Sequence, residues 1–158
     1  MQAPREFESR PLRKYMDNKL ERFSFRGEVL EVVYVETTHP FPGVRCDIYV
    51  HPETKEKDLA IITIEAGKKT GRQRVLKGKE TIEGYISGMG KLTITHADKR
   101  KDVFELDSTQ EGFAQIVEIG EIMQLEAGPD GELVMFEICV PPWEDGRYED
   151  LKDDVESE

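Results

Sequence analysis

Residues 67–88 read GKKTGRQRVLKGKETIEGYISG, and their reading decides the fold. An alternating apolar run, Leu59-Ala60-Ile61-Ile62-Thr63-Ile64, precedes them, and a second, Lys91-Leu92-Thr93-Ile94-Thr95, follows. Apolar residues at a period of two mark half-buried strands, so two strands flank this stretch. Between them lie a Gly/Lys/Thr turn, a short polar strand Arg72-Gln73-Arg74-Val75-Leu76, and a tight corner at Ser87-Gly88-Met89-Gly90. The polar strand is where a β-barrel would place its chemistry.

Outward from there the chain keeps the same grammar. Towards the N-terminus, Val44 to Val50 alternates as a strand and Val29 to Val35 as another, with the turn Thr37-Thr38-His39-Pro40-Phe41-Pro42-Gly43 between them. Two prolines and a glycine suit that turn. Residues 1–22 read as an arm, in which Leu12, Tyr15, Met16 and Leu20 fall near one face of a short helix. Such a helix is too short to stand alone, so the arm is expected to pack on the domain or on a partner subunit. Towards the C-terminus come a short strand at Val103–Leu106, strands at Ala114–Ile119 and Ile122–Leu125 around Gly120, and a hairpin turn at Gly128-Pro129-Asp130-Gly131. Glu132 to Val140 is the most apolar strand and the expected centre of the core, ended by Pro141-Pro142. Glu144 to Glu158 carries eight acidic residues against Arg147 and Lys152 and reads as a solvated acidic segment. About ten short strands without a long helix predict an all-β sandwich or barrel. The expected organisation is an arm at 1–22, a β-barrel domain at 23–148 and an acidic tail at 149–158.

A chain of 158 residues suits one domain with one core. The net charge of −11 argues against nucleic acid or an anionic membrane as partner, since either needs a basic stripe. No run approaches the roughly 20 apolar residues of a membrane span, and residues 1–10 lack the apolar centre of a signal peptide. The expected location is cytoplasmic. Cys46 and Cys139 each sit in a strand-like apolar run, as reduced, packed thiols do.

Glycine spacing adds a family resemblance. Gly67 is followed by five residues, then Gln73-Arg74-Val75, then an acidic position at Glu80 or Thr81, and Gly88 closes the set. Gly112 is followed by five residues, then Glu118-Ile119-Gly120, then Met123 and Ala127. Phe136 to Trp143 is similar to the closing strand and exit of small cupins. Over residues 58–148 this arrangement resembles the cupin superfamily, whose fold is a jelly-roll barrel of two antiparallel sheets. The resemblance implies that barrel and, as such barrels commonly pair, a homodimer. The family's metal site uses three His and one Glu. Gln73, Val75, Glu80 (or Thr81) and Met123 stand at those positions, and a carboxamide, a valine and a thioether make a poor site for zinc, iron or manganese. No metal and no other cofactor is expected. His39, His51 and His96 lie apart in sequence and read as exposed loop histidines.

The residues then support three functions. In the first, a metal-free cupin binds a small polar or anionic metabolite without redox chemistry, with Gln73, Val75, Glu80, Tyr85 and Met123 lining the pocket. In the second, Glu80 and Tyr85 act as acid and base in a metal-independent isomerase or epimerase on a sugar or similar metabolite, as a Tyr does in the metal-free sugar epimerases of the superfamily. In the third, the barrel is filled by its own side chains and the protein serves as a structural or interaction module. The basic cluster Arg72, Arg74, Lys77 and Lys79 suits either an anionic ligand or an edge strand charged against sheet-to-sheet pairing. Chelator treatment is expected to leave the melting temperature unchanged. A fall of several degrees would show that a metal contributes folding free energy.

Overall fold

The structure is a computed structural model that describes residues 19–25, 27–53 and 56–152. Twelve strands follow in order: β1 (Leu20–Phe25), β2 (Glu28–Phe41), β3 (Val44–Val50), β4 (Asp58–Ile64), β5 (Arg72–Val75), β6 (Glu80–Gly88), β7 (Gly90–Thr95), β8 (Lys101–Leu106), β9 (Ala114–Ile116), β10 (Ile122–Ala127), β11 (Leu133–Val140) and β12 (Tyr148–Leu151). They build a seven-stranded sheet in the order β1-β2-β3-β4-β11-β6-β9 and a five-stranded sheet in the order β12-β5-β10-β7-β8. Every strand pairing is antiparallel. The fold is the all-β jelly roll expected from the sequence.

Strand alternation sorts the apolar side chains into two layers. Val44, Ile48, Ala60, Ile62, Leu133 and Met135 of the large sheet meet Val75, Leu92, Ile94, Met123 and Leu125 of the small one, and together they fill most of the barrel lumen. The opposite parity of the large sheet, including Leu30, Val32, Leu59, Phe136 and Ile138, forms a second layer on its outer face. Phe23 and Phe25 of β1 join that layer. The Phe25 ring stacks on Phe136 at 3.9 Å between centroids, and Phe23 meets Tyr49 edge-on at 5.0 Å. β1 lies four places from β11 in the sheet, so this contact requires the β1–β2 ribbon to fold across the sheet's outer face.

Three sequence expectations are corrected here. Leu20 to Arg22 lie in β1, so the arm stops short of them, while residues 1–18 lie outside the described residues. The expected turn at Thr37–Gly43 is tighter, because β2 continues to Phe41. The tail boundary at 149 cuts through β12. Tyr148 pairs with Val75, Glu149 with Arg74, Asp150 with Gln73 and Leu151 with Arg72. The acidic segment is a strand because its charge has a partner. Arg74 meets Glu149 at 2.6 Å, Lys77 meets Glu144 at 3.1 Å, and Gln73 Nε2 donates to Asp150 Oδ1 at 2.9 Å. Two members of the basic cluster, Arg74 and Lys77, are thereby paired with acids within the chain. Residues 153–158 lie outside the described residues.

Arg147 fixes the start of β12. It is 1% exposed, and its guanidinium donates to the carbonyls of Pro141 (2.9 Å) and Glu80 (2.7 Å) and to Thr81 Oγ1 (2.9 Å). Gly78 makes room for it: a Cβ there would lie 2.5 Å from the guanidinium carbon. Arg147→Lys is expected to cost about 3 kcal/mol of unfolding free energy, since an ammonium cannot span these acceptors and leaves buried oxygens unmet. Urea denaturation measures this, and a loss under about 0.5 kcal/mol would show the staple to be dispensable.

The histidines are less exposed than expected. His39 lies exposed in β2, whereas His51 and His96 are half-buried. His96 links β8 to the residue before β10, with Nε2 2.6 Å from Asp102 Oδ2 and Nδ1 hydrogen-bonded to Glu121. These bonds, Asp102 first, raise its pKa above the ordinary 6.5. A raised histidine pKa gives stability that is fully present below about 6.5 and is lost as pH rises through the folded value. The urea midpoint is therefore expected to fall over the pH range above 6.5, and to fall less in His96→Gln. Parallel pH profiles for the two proteins would refute the link.

Candidate functional site in the barrel lumen

β6 and β11 pair so that Glu83 stands directly opposite Glu137. On β6, Thr81, Glu83 and Tyr85 share the lumen-facing parity. On β11, Met135, Glu137 and Cys139 share it, while Phe136 and Ile138 face outwards. Two carboxyl groups therefore project into an otherwise apolar interior, Glu83 at 1% exposure and Glu137 at 6%. The two carboxyl groups are neighbours across the strand pair. Glu83 Oε2 is buried with no hydrogen-bond partner among the described residues.

Burial in low dielectric disfavours charge, and a second carboxylate alongside disfavours it further. Both effects push Glu83 well above the usual carboxylate range, burial contributing most and Glu137 next. The protonated form of Glu83 is thereby favoured. Cys139 lies 3.5 Å from Glu137 Oε1 and 3.2 Å from the Tyr148 hydroxyl. Burial, aided by Glu137, raises the Cys139 thiol, and burial, aided by Cys139, raises the Tyr148 phenol. Both stay protonated at neutral pH.

The pair borders a cavity of about 40 Å³ that Gln73, Met123, Trp143 and Tyr148 also line. Trp143 is positioned from its backbone, whose N–H donates to the buried carboxylate of Asp58 at 2.8 Å.

Of the residues singled out in the sequence, the structure brings Gln73 and Met123 together, as cross-strand neighbours that line the cavity. Val75 lies in the inter-sheet core beside them. Tyr85 also faces inwards, but its hydroxyl donates to the Gly88 carbonyl at 2.7 Å. Glu80 has the opposite parity on β6, and its carbonyl accepts from Arg147. Glu80 and Tyr85 thus lie on opposite faces of one strand, so the acid–base pair expected from the sequence is not assembled.

Sequence reasoning missed Glu83 and Glu137, and both had a signal. Glu83 shares the parity of the buried aromatic Tyr85, whereas Glu80 does not. Glu137 is the one acidic residue inside Leu133–Val140, the most apolar strand. An acid in such a run either faces solvent or is held for a purpose.

The donors at the motif positions do not fit the cupin metal. Gln73 and Met123 offer an amide and a thioether, Val75 offers nothing, and among the described residues no group of three or more His, Cys, Asp or Glu is placed to hold a metal ion. Nor do the described residues include a helix long and apolar enough to cross a membrane.

Neither a protein-family model nor a curated protein matches the sequence. Solved structures do match. Oxalate decarboxylase from Lactobacillus farciminis superposes with a TM-score of 0.59 at 17% identity, over 73% of this chain and 33% of that one. The capsular polysaccharide assembling protein CapF from Staphylococcus aureus gives 0.58 at 12% identity, over 75% and 34%. Salicylate 1,2-dioxygenase from Pseudaminobacter salicylatoxidans gives 0.50 at 17% identity, over 63% and 27%. The chain spans about a quarter to a third of the length of these proteins. Identities this low speak for architecture alone, and the architecture they share with this chain is a cupin-type jelly-roll fold.

Proposed function

We propose that this protein is a cupin-fold binding module that takes a small polar group into its barrel lumen without metal or redox chemistry. One observation carries the reading. A buried acid pair borders a cavity, and one of its oxygens, Glu83 Oε2, has no partner among the described residues. Leaving a buried polar atom unmet costs about 1–3 kcal/mol. Chains keep such a cost mainly where it serves a site. Mostly apolar walls with a few placed polar groups are also the usual make-up of a small-ligand pocket. Gln73 and Met123, at positions where the cupin motif has histidines, give that pocket a neutral rim in place of a metal centre.

The cavity is small, so the lumen admits a terminal group and the rest of a larger molecule stays outside the barrel. A sugar ring would not fit within about 40 Å³.

Glu83→Gln tests the site. An acid whose pKa is raised by folding costs stability once pH exceeds its unfolded value, here about 4.5. The variant is therefore expected to match the wild type in acid and to gain on it as pH rises to neutral, while losing any ligand-induced rise in melting temperature. Glu80→Gln, on the other face of β6, is expected to keep that rise. Loss of the response in Glu80→Gln but not in Glu83→Gln would move the site out of the lumen.

A further inference from the structure

The binding reading leaves the ligand's chemistry open, and the lumen narrows it. The cavity walls carry two acids and no basic residue. The basic side chains nearest in the fold are committed elsewhere: Arg147 to main-chain carbonyls and Thr81, Arg74 to Glu149, and Lys77 to Glu144. At the rim, Gln73 hydrogen-bonds Asp150, a further acid. Three aromatic residues, Phe41, Trp143 and Tyr148, complete the wall, with the polarisable Met123 among them. Carboxylates with aromatic rings and a thioether form a surrounding that attracts cations and repels anions.

We propose that the lumen binds a small organic cation, specifically a primary ammonium head group, between Glu83 and Glu137. This rests on the binding reading and names its ligand class. The acidic pair alone would not make a site. The independent observation is Glu83 Oε2, an acceptor with no partner among the described residues, on a side chain that is 1% exposed and borders the cavity. An unmet acceptor calls for a donor, and an ammonium brings three N–H donors with the matching charge.

The charge balance favours the same ligand. Burial and the neighbouring carboxyl raise the pKa of Glu83 and so favour its protonated form. When R–NH₃⁺ enters, its charge favours the carboxylate instead and proton is expelled to solvent, so the cation is compensated inside the low-dielectric interior. An anion would be repelled by the acids, and a neutral polar group would leave the proton in place. The titratable groups facing the pair are Cys139 and Tyr148, and neither needs to change protonation. The volume of about 40 Å³ holds a few heavy atoms, which suits a methylammonium-sized head.

The test is isothermal titration of the full chain with methylammonium chloride, against sodium chloride at equal ionic strength, with acetate and acetamide as anionic and neutral probes of similar size. The expected result is saturable one-site binding of methylammonium, with proton release as judged from buffers of different ionisation enthalpy. The same affinity is expected to drop at least about tenfold in Glu83→Gln and in Glu137→Gln, each checked for folding by circular dichroism, so that one folded variant suffices. Methylammonium binding that survives in the folded variants, or that releases no proton, would overturn the proposal. Saturable binding of acetamide or acetate alone, lost in the variants, would overturn the cation assignment and leave the lumen as a binding site. Absence of binding by every probe would overturn both readings and leave a barrel filled by its own side chains.

Discussion

A buried guanidinium bound to main-chain oxygens holds this barrel's last strand in place. Arg147 reaches from the start of β12 to the carbonyls of Pro141 and Glu80 and to the hydroxyl of Thr81. Those acceptors lie at the end of β11 and the beginning of β6, the two strands that carry Glu137 and Glu83. The rigid fork of an arginine is suited to such a span. With it in place, β12 is set against β5, its acids answer the basic residues of that strand, and Tyr148 is turned into the lumen. The interior chemistry and the closing strand are thus parts of one arrangement. Gly78, which a side chain would drive into the guanidinium, belongs to it as well.

The fold was legible because the signals that specify it are local. Period-two alternation in Leu59–Ile64, Val44–Val50 and Lys91–Thr95 marks strands wherever they lie, and glycines at 67, 88, 112 and 120 mark the turns, each at positive φ. The two missed strands show the limit of local signals. In Leu20–Phe25 the alternation is present, but Leu20 also fits a helical face with Leu12 and Tyr15, and only the pairing with β2 decides between the two. In Tyr148–Leu151 the segment looks solvated because its charges are counted alone. The partners that neutralise them are about 75 residues away in sequence, a separation no window of local composition covers.

The site was harder to read than the fold for a related reason. Gln73 and Met123 were found because turn spacing located their strands, and strand parity then placed them correctly. Glu80 was chosen over Glu83 by counting from a motif, whereas burial follows parity: Glu83 shares a face with Tyr85, and Glu80 does not. Glu137 lies outside either motif. Its role depends on being opposite Glu83, and register between β6 and β11 is a property of the folded sheet. Fold similarity to oxalate decarboxylase and CapF speaks to the scaffold alone, because function resides in such placed side chains.

The large sheet has a consequence for how the chain reaches this state. β4 and β11 sit side by side at its centre and are buried on both faces. Their partners are distant in the chain: Asp58 pairs with Cys139, and Ile64 with Leu133. During synthesis β4 therefore emerges long before the strand that will cover its edge. Until then an apolar, β-prone segment stands with one edge unmatched, the situation in which nascent sheets associate with the wrong chain. The loop that must close to form this pair makes the step slow as well. The charged segments that flank β4, His51–Lys57 before it and Glu65–Lys69 after it, are placed to keep that interval soluble.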